Sequence, residues 1–202
     1  MKLYYLAGAC PLVTHIALEW IAKPYEAESV SRQGLKEPEF LALNPLGAAP
    51  VLKDGDLVLT QSSAILEYLA ELNPQANLLG KTVAERAQTR RWLAFLNADV
   101  HRNFGVIFGV QRYARSESAQ TEVKEQATEL VLNQLRHVNK HLEGRDYLGA
   151  ERSVADAYLF VILLWVKRLG LDISELKNLE RLRQRLAEDP AVQAALKAEG
   201  LA

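Results

Sequence analysis

Lys2-Leu3-Tyr4-Tyr5-Leu6-Ala7-Gly8-Ala9-Cys10-Pro11-Leu12-Val13-Thr14-His15-Ile16 decides the fold. Its apolar run, Leu3 to Leu6, has the length of a buried strand. Ala7-Gly8-Ala9 lets the chain turn sharply. Pro11 suits the first position of a helix, and Val13, Ile16, Ala17 and Trp20 recur at helical spacing. Cys10 is therefore expected at the mouth of a helix, beyond the end of a strand. Free backbone N–H groups and the positive end of the helix dipole lie there. They are expected to stabilise a thiolate and lower the thiol pKa. The simpler alternative is that a free cysteine is a small buried hydrophobe. Cys10-Pro11 lacks the second thiol of a Cys-x-x-Cys pair, so redox chemistry here needs an outside thiol.

Composition narrows the class. With 202 residues the chain makes one large domain or two small ones, and 49% apolar residues fill a substantial core. A net charge of −1 gives no field that favours nucleic acid or an anionic membrane. A single cysteine excludes an intramolecular disulfide and fits a reducing compartment, here the cytoplasm. Lys2 followed by Ala-Gly-Ala-Cys imitates a secretory or lipoprotein signal, but the apolar segment before Cys10 is too short, so none is expected. The longest apolar run, Ala157 to Val166, is a buried-helix length and not a membrane span.

Outward from the opening stretch, Pro24 to Ser31 reads as a short strand with Tyr25, Ala27 and Ser29 on one side. Pro38 opens a short helix, Glu39 to Leu43, which Asn44-Pro45 ends. Val51-Leu-Lys and Leu57-Val-Leu-Thr, joined through Asp54-Gly55-Asp56, predict a hairpin. Pro50 belongs at the start of a strand or on a sheet edge, which leaves the backbone of Ala49 free to pair with something extended. Gln61-Ser62-Ser63 opens a helix with Ile65, Leu66, Leu69 and Leu72 inward. Serine there most simply caps the helix. The same position also marks an anion site, where a hydroxyl and free N–H groups converge. To Pro74 the order is thus β-α-β-α-β-β-α, a compact α/β unit.

Everything after a linker reads as helix. Residues 83–108 form one long helix with Trp92, Phe95, Leu96, Val100, Phe104 and Ile107 in the core. Ala94, Ala98 and Gly105 on another face would let a second surface approach, with His101 lining the gap and Arg102 beside it. A surface histidine is the alternative. A second helix runs from Ser118 to Leu142, with Val123, Ala127, Leu130, Leu135, Val138 and Leu142 inward. Ser153-Val-Ala-Asp156 resembles a capping box. The helix it starts, Val154 to Arg168, is apolar nearly all round, the mark of a central helix. Two shorter helices follow, around Leu179–Leu186 and after Asp189-Pro190. No histidine pairs with the cysteine at metal-ligand spacing. There is no Walker phosphate loop and no Gly-x-Ser-x-Gly elbow.

The combination resembles the cytosolic glutathione transferases, and within them the bacterial beta class, over essentially the whole chain. The matching motifs are Met1-Lys-Leu-Tyr-Tyr with Cys10 and His15-Ile16, Asn44-Pro45 with Gly47 and Ala49-Pro50-Val51-Leu52, Gln61-Ser62 with Ala64-Ile65, Trp92-Leu93 with Phe95-Leu96, Val100-His101, and Val154-Ala-Asp-Ala-Tyr-Leu-Phe. The resemblance implies a thioredoxin-like domain over residues 1–75, a linker over 76–82 and an all-helical domain over 83–202. It implies that Cys10 lies by the glutathione sulfur and that His101 approaches that sulfur from the second domain. It implies a cis-proline at Pro50, with the backbone of Ala49 on the cysteinyl part of glutathione, and Gln61 with Ser62 on the γ-glutamyl group. Lys36 and Arg102 are further glutathione-binding candidates. Phe104, Phe108 and Tyr113 are candidates for the electrophile pocket, although they could equally be core. Glutathione is the co-substrate, no metal is implied, and a homodimer is expected. Pro11 for Ser, Gln61 for Glu, Arg102 for Lys and Ala94 for Asn depart from the family pattern. Three functions follow: conjugation of glutathione to small hydrophobic electrophiles, thiol transfer through Cys10, or glutathione binding without catalysis.

Overall fold

The computed structural model describes residues 1–202, and its elements follow the expected order. Strand β1 (Lys2–Tyr5) leads into α1 (Pro11–Ile21), β2 (Glu26–Ser29), α2 (Pro38–Leu43), β3 (Val51–Asp54), β4 (Leu57–Thr60) and α3 (Ser62–Leu72). The sheet order is β2-β1-β3-β4, with β1–β2 parallel and the other pairs antiparallel. Leu3 pairs with Leu52, and both are buried, so one sheet face is sealed by the core. α1 packs on α3, and also on two helices from the far end of the chain, α7 (Val154–Arg168) and α9 (Pro190–Ala198). From Pro11 to Leu18 every residue of α1 is buried. Cys10 therefore sits at the head of a helix held from several sides.

The region expected as one helix over 83–108 is broken. It forms α4 (Val83–Ala94), a π-helical turn (Phe95–Val100) and α5 (His101–Phe108). A π turn inserts extra backbone per turn, which rotates everything after it relative to a continuous helix. The segment expected as a linker is anchored to the helical part. Leu78 and Leu79 are buried, and the Leu78 carbonyl accepts the Val154 N–H at 2.9 Å. Thr82 and Glu85 then form a capping box at the start of α4.

Helix α6 (Glu117–His141) buries Ala127, Val131, Leu135 and Val138. Leu130, expected inward, is 52% exposed. The buried steps of four, four and three residues leave it about 100° off the stripe. Helix α7 is sheathed by the rest, with Val154 to Leu163 all buried. Each of its buried Leu, Ile, Val and Phe side chains contributes about 1.5–3 kcal/mol. α8 (Lys177–Ala187) and α9 close the helical part. A core of 42 buried residues runs without a break from β1 to α9. No helix is long and apolar enough to cross a membrane.

At the head of α7 the Ser153 N–H and hydroxyl donate to Asp156 Oδ2 at 2.9 and 2.8 Å, and the Leu148 N–H donates to Oδ1 at 2.7 Å. Asp156 fixes a helix start, as its place in the sequence suggests. Burial nonetheless pushes its carboxyl up to about 6 despite these donors.

Candidate active site

The chain reverses between β1 and α1 at Gly8, whose φ of +69° falls in the left-handed region that favours glycine. Both polar groups of its backbone are engaged by distant residues. Its N–H donates to Glu199 Oε2 at 2.9 Å, and its carbonyl accepts from Trp165 Nε1 at 2.9 Å. Glu199 Oε1 lies 3.0 Å from His15 Nδ1, and both side chains are buried. The turn carrying Cys10 is thus clamped by the central and terminal helical regions together.

Cys10 is the N-cap residue of α1, as expected, but its thiol is not lowered. Burial pushes it up to about 11, and the charge of Glu199 adds to that. The Ser62 side chain and the Cys10 backbone N–H pull the other way without prevailing. In this state the protonated thiol faces the Ala49 carbonyl, with Sγ 3.8 Å from the oxygen. The stabilising groups of a helix start are present, but desolvation is the largest effect here.

Opposite Cys10, the Ala49–Pro50 peptide is cis. Pro50 directly precedes β3, where a missing N–H breaks no ladder bond. Ala49 makes no backbone hydrogen bond through either its N–H or its carbonyl. Gln61 adopts φ +71° as the chain passes from β4 into α3, a conformation that costs a non-glycine residue about 1–3 kcal/mol. No side chain caps α3, so the capping role expected of its serines is not what the structure shows. Ser62 is instead buried beside Cys10. The leading N–H groups of α3 keep no intrahelical acceptor.

His101 begins α5, and its Nδ1 lies 2.9 Å from the Tyr158 hydroxyl. That hydroxyl donates to Asn97 Oδ1 at 2.7 Å. A phenol has one proton to give. The Tyr158 oxygen therefore accepts from His101 Nδ1–H, and Nε2 is left as the bare nitrogen. Burial lowers the His101 pKa, which keeps the ring neutral at pH 7. The ring also packs at 4.8 Å from that of Trp165.

Two clefts meet at Cys10 and His101. The first, about 190 Å³, is walled by Asn44, Ala49, Pro50, Gln61, Ser62 and Asn97. The second, about 380 Å³, is walled by Gly8, Gly105, Phe108, Trp165 and several polar side chains. So Cys10, Ala49, Pro50, Gln61, Ser62 and His101 come together, and Phe108 joins the second cleft. Lys36 and Arg102 are exposed and line neither cleft. Phe104 is 0% exposed, lying beneath Phe108 and Trp165, so it backs the wall without forming it. Tyr113 is exposed and lines neither cleft.

Asn97, Tyr158, Trp165 and Glu199 escaped the sequence reading. Two carried a signal. A tyrosine or tryptophan inside an all-apolar helix needs a partner for its polar atom.

A cysteine at the head of the first helix, a cis-proline across from it and this mixed sheet make a thioredoxin-like thiol site, completed here by an all-helical half. Residues 1–71 match the glutathione S-transferase N-terminal domain, and residues 104–190 match the glutathione S-transferase C-terminal domain. A glutathione S-transferase of Xanthomonas campestris pv. campestris is 42% identical over 203 residues, covering 100% of both chains. The solved glutathione S-transferase from Xylella fastidiosa is 40% identical with a TM-score of 0.96, covering 100% of this chain and 99% of that one. A sphingomonad glutathione S-transferase complexed with glutathione is 38% identical with a TM-score of 0.88, covering 100% of both. A bacterial beta class enzyme of Sphingomonas chungbukensis is 37% identical with a TM-score of 0.89, again covering 100% of both. The chain belongs to the glutathione S-transferase family.

Proposed function

We propose that this transferase binds glutathione in the first cleft and joins its sulfur to a small electrophile with an apolar body, held in the second. The observation that carries this is the meeting of the two clefts at Cys10 and His101. The N–H and carbonyl of Ala49, which make no backbone hydrogen bond, suit an extended peptide, whose cysteinyl unit would pair there as an added strand in place of the Cys10 thiol contact to the carbonyl. The leading N–H groups of α3, with Ser62 and Gln61, suit the γ-glutamyl carboxylate and amine. His101 Nε2, unprotonated and beside Cys10, accepts a hydrogen bond from the incoming thiol and helps draw off its proton. Lys36 and Arg102 need side-chain movement to take part.

Thiol transfer is the second reading, because Cys10 lines both clefts and can exchange with a mixed disulfide presented from either. Its raised thiol pKa in the free protein ranks it below conjugation. We further infer a division of labour between residues 1–75 and 83–202 across the 76–82 connection, and a cytoplasmic homodimer. Leu46 and Val83 stand 75% exposed, as an interface would leave them in one copy.

Calorimetric titration of glutathione, run beside a chromogenic aryl halide assay, tests the main reading. Binding with turnover supports it. Binding without turnover, together with disulfide reductase activity that disappears in Cys10→Ser, would replace it with thiol transfer. Absence of binding would overturn both.

A further inference from the structure

The second cleft is not the wholly apolar pocket that Phe108 and Trp165 on their own would make. Arg32, Arg112 and Arg168 line it, and no aspartate or glutamate does. The three come from separate places: the loop after β2, the helical turn Val110–Arg112 that follows α5, and the last residue of α7. None of the three makes an ion pair, so no carboxylate of the chain neutralises them at the cleft. The chain as a whole carries −1, so this local charge is not the overflow of a basic protein. Complementing the C-terminal end of a helix accounts for Arg168 and, at its one short turn, Arg112, but not for Arg32 or for the convergence of all three on one cleft. None of the three lines the first cleft, so they are not placed to hold glutathione there.

A concave site lined by one sign of charge concentrates ligands of the other sign. Guanidinium groups match carboxylates in a two-pronged geometry. Phe108 and Trp165 offer a flat apolar wall in the same cleft. We propose that the second substrate is an anionic electrophile: an unsaturated or aromatic body that bears carboxylate, held by Arg32, Arg112 and Arg168. This rests on the conjugation reading and adds the substrate class to it.

The test uses matched pairs of compounds. For turnover these are 4-chloro-3,5-dinitrobenzoate and the neutral 2-chloro-1,3-dinitrobenzene, each rate taken relative to its uncatalysed reaction with glutathione. In both, the carbon–sulfur bond forms at the chlorine-bearing carbon, the carbon–chlorine bond breaks, chloride leaves with the bonding pair, and the thiol proton passes to solvent. For binding without chemistry they are 3,5-dinitrobenzoate and 1,3-dinitrobenzene, read by calorimetric titration into glutathione-saturated protein. The anionic member is expected to be preferred by about 10-fold or more at low salt, a preference that shrinks as salt screens the site. Each of Arg32→Gln, Arg112→Gln and Arg168→Gln is expected to reduce the preference ratio by about 3-fold, with losses that accumulate in the triple variant. Equal binding of the neutral congener, or a preference that survives the triple variant, would overturn the proposal. The unreactive pair keeps the two readings separable. Absence of turnover with selective dinitrobenzoate binding would fail the conjugation reading while the anion site stood. The salt dependence requires no variant to fold.

Discussion

The Cys10 thiol gives the sharpest test of the site's electrostatics. Burial moves it from an ordinary 9.0 to about 11. At a fixed neutral pH the thiolate fraction then falls about 100-fold, equivalent to about 2.7 kcal/mol. Cys10 is the only cysteine in the chain, so alkylation by iodoacetamide, followed by intact mass, reports on it alone. The rate in the free protein is expected to climb about tenfold per pH unit from pH 6 to 10 without a plateau. Two substitutions then separate the causes. Ser62→Ala removes a group that lowers the thiol pKa and is expected to slow alkylation at a given pH. Glu199→Gln removes a charge that raises it and is expected to speed alkylation. Opposite responses are the signature, because a general loosening of the site would speed both. A plateau with its midpoint at or below 9, or a common direction for the two variants, would refute the balance of desolvation over hydrogen bonding argued here.

Four further outcomes follow from the packing and the hydrogen bonds. Asp156→Ala strands three buried donors at the head of α7, and is expected to cost roughly 3–5 kcal/mol, a fall in melting temperature of about 6–20 °C. Because the folded pKa of Asp156 is raised from 3.8 to about 6, the proton it takes up favours the native state fully below 3.8 and that gain is lost as pH rises through 6. The melting temperature of the wild type relative to Asp156→Asn is therefore expected to rise between pH 7.5 and 4.5. Tyr158→Phe removes the acceptor that fixes the His101 Nδ1–H tautomer. Nitrogen chemical shifts of His101 are expected to show a mixture of tautomers, with kcat/KM for conjugation down about 10-fold. On α6, Leu130→Lys is expected to change stability by no more than about 0.5 kcal/mol, whereas Val131→Ala costs about 1–3 kcal/mol as measured by chemical denaturation.

The sheet and its helices were legible because each carries a local signal. Asp54-Gly55 marks the hairpin, Pro11 and Cys10 mark the turn into α1, and Asn44-Pro45 marks the end of α2. The first cleft was legible for a related reason. Pro50, Gln61 and Ser62 each sit where the chain changes direction, and such places combine turn residues with unpaired backbone. The π turn over 95–100 was invisible. Its apolar positions satisfy a continuous helix equally well, and only the presence of Asn97 inside a helix hints at another use. The depression expected of the Cys10 pKa failed because sequence shows which groups adjoin a thiol and not how much water reaches it. The lining of the second cleft was only partly legible, for want of topology. Phe104 and Phe108 are one helical turn apart, but only one of them reaches the cleft, and Arg32, Arg112 and Arg168 are brought to it by folding alone.

Gly8 shows why the site depends on both parts of the chain. A cysteine on a turn between a strand and a helix would drift if only its own elements held it. Here the N–H of Gly8 is fixed by Glu199 and its carbonyl by Trp165, 191 and 157 residues away in sequence. Trp165 also supports the His101 ring at 4.8 Å, so one side chain aligns the cysteine turn and the histidine together. Glu199 is bound to His15 on α1, which carries Cys10 at its head. The burial that comes with this clamped turn raises the Cys10 thiol pKa, and the charge of the same carboxylate adds a smaller push in that direction. Holding the turn rigid and holding the thiol neutral are then one arrangement. A cysteine kept in that form lines the cleft without competing, as a nucleophile, with the sulfur of a bound glutathione. A neutral thiol is the weaker nucleophile, and this supports the proposed conjugation ahead of thiol transfer.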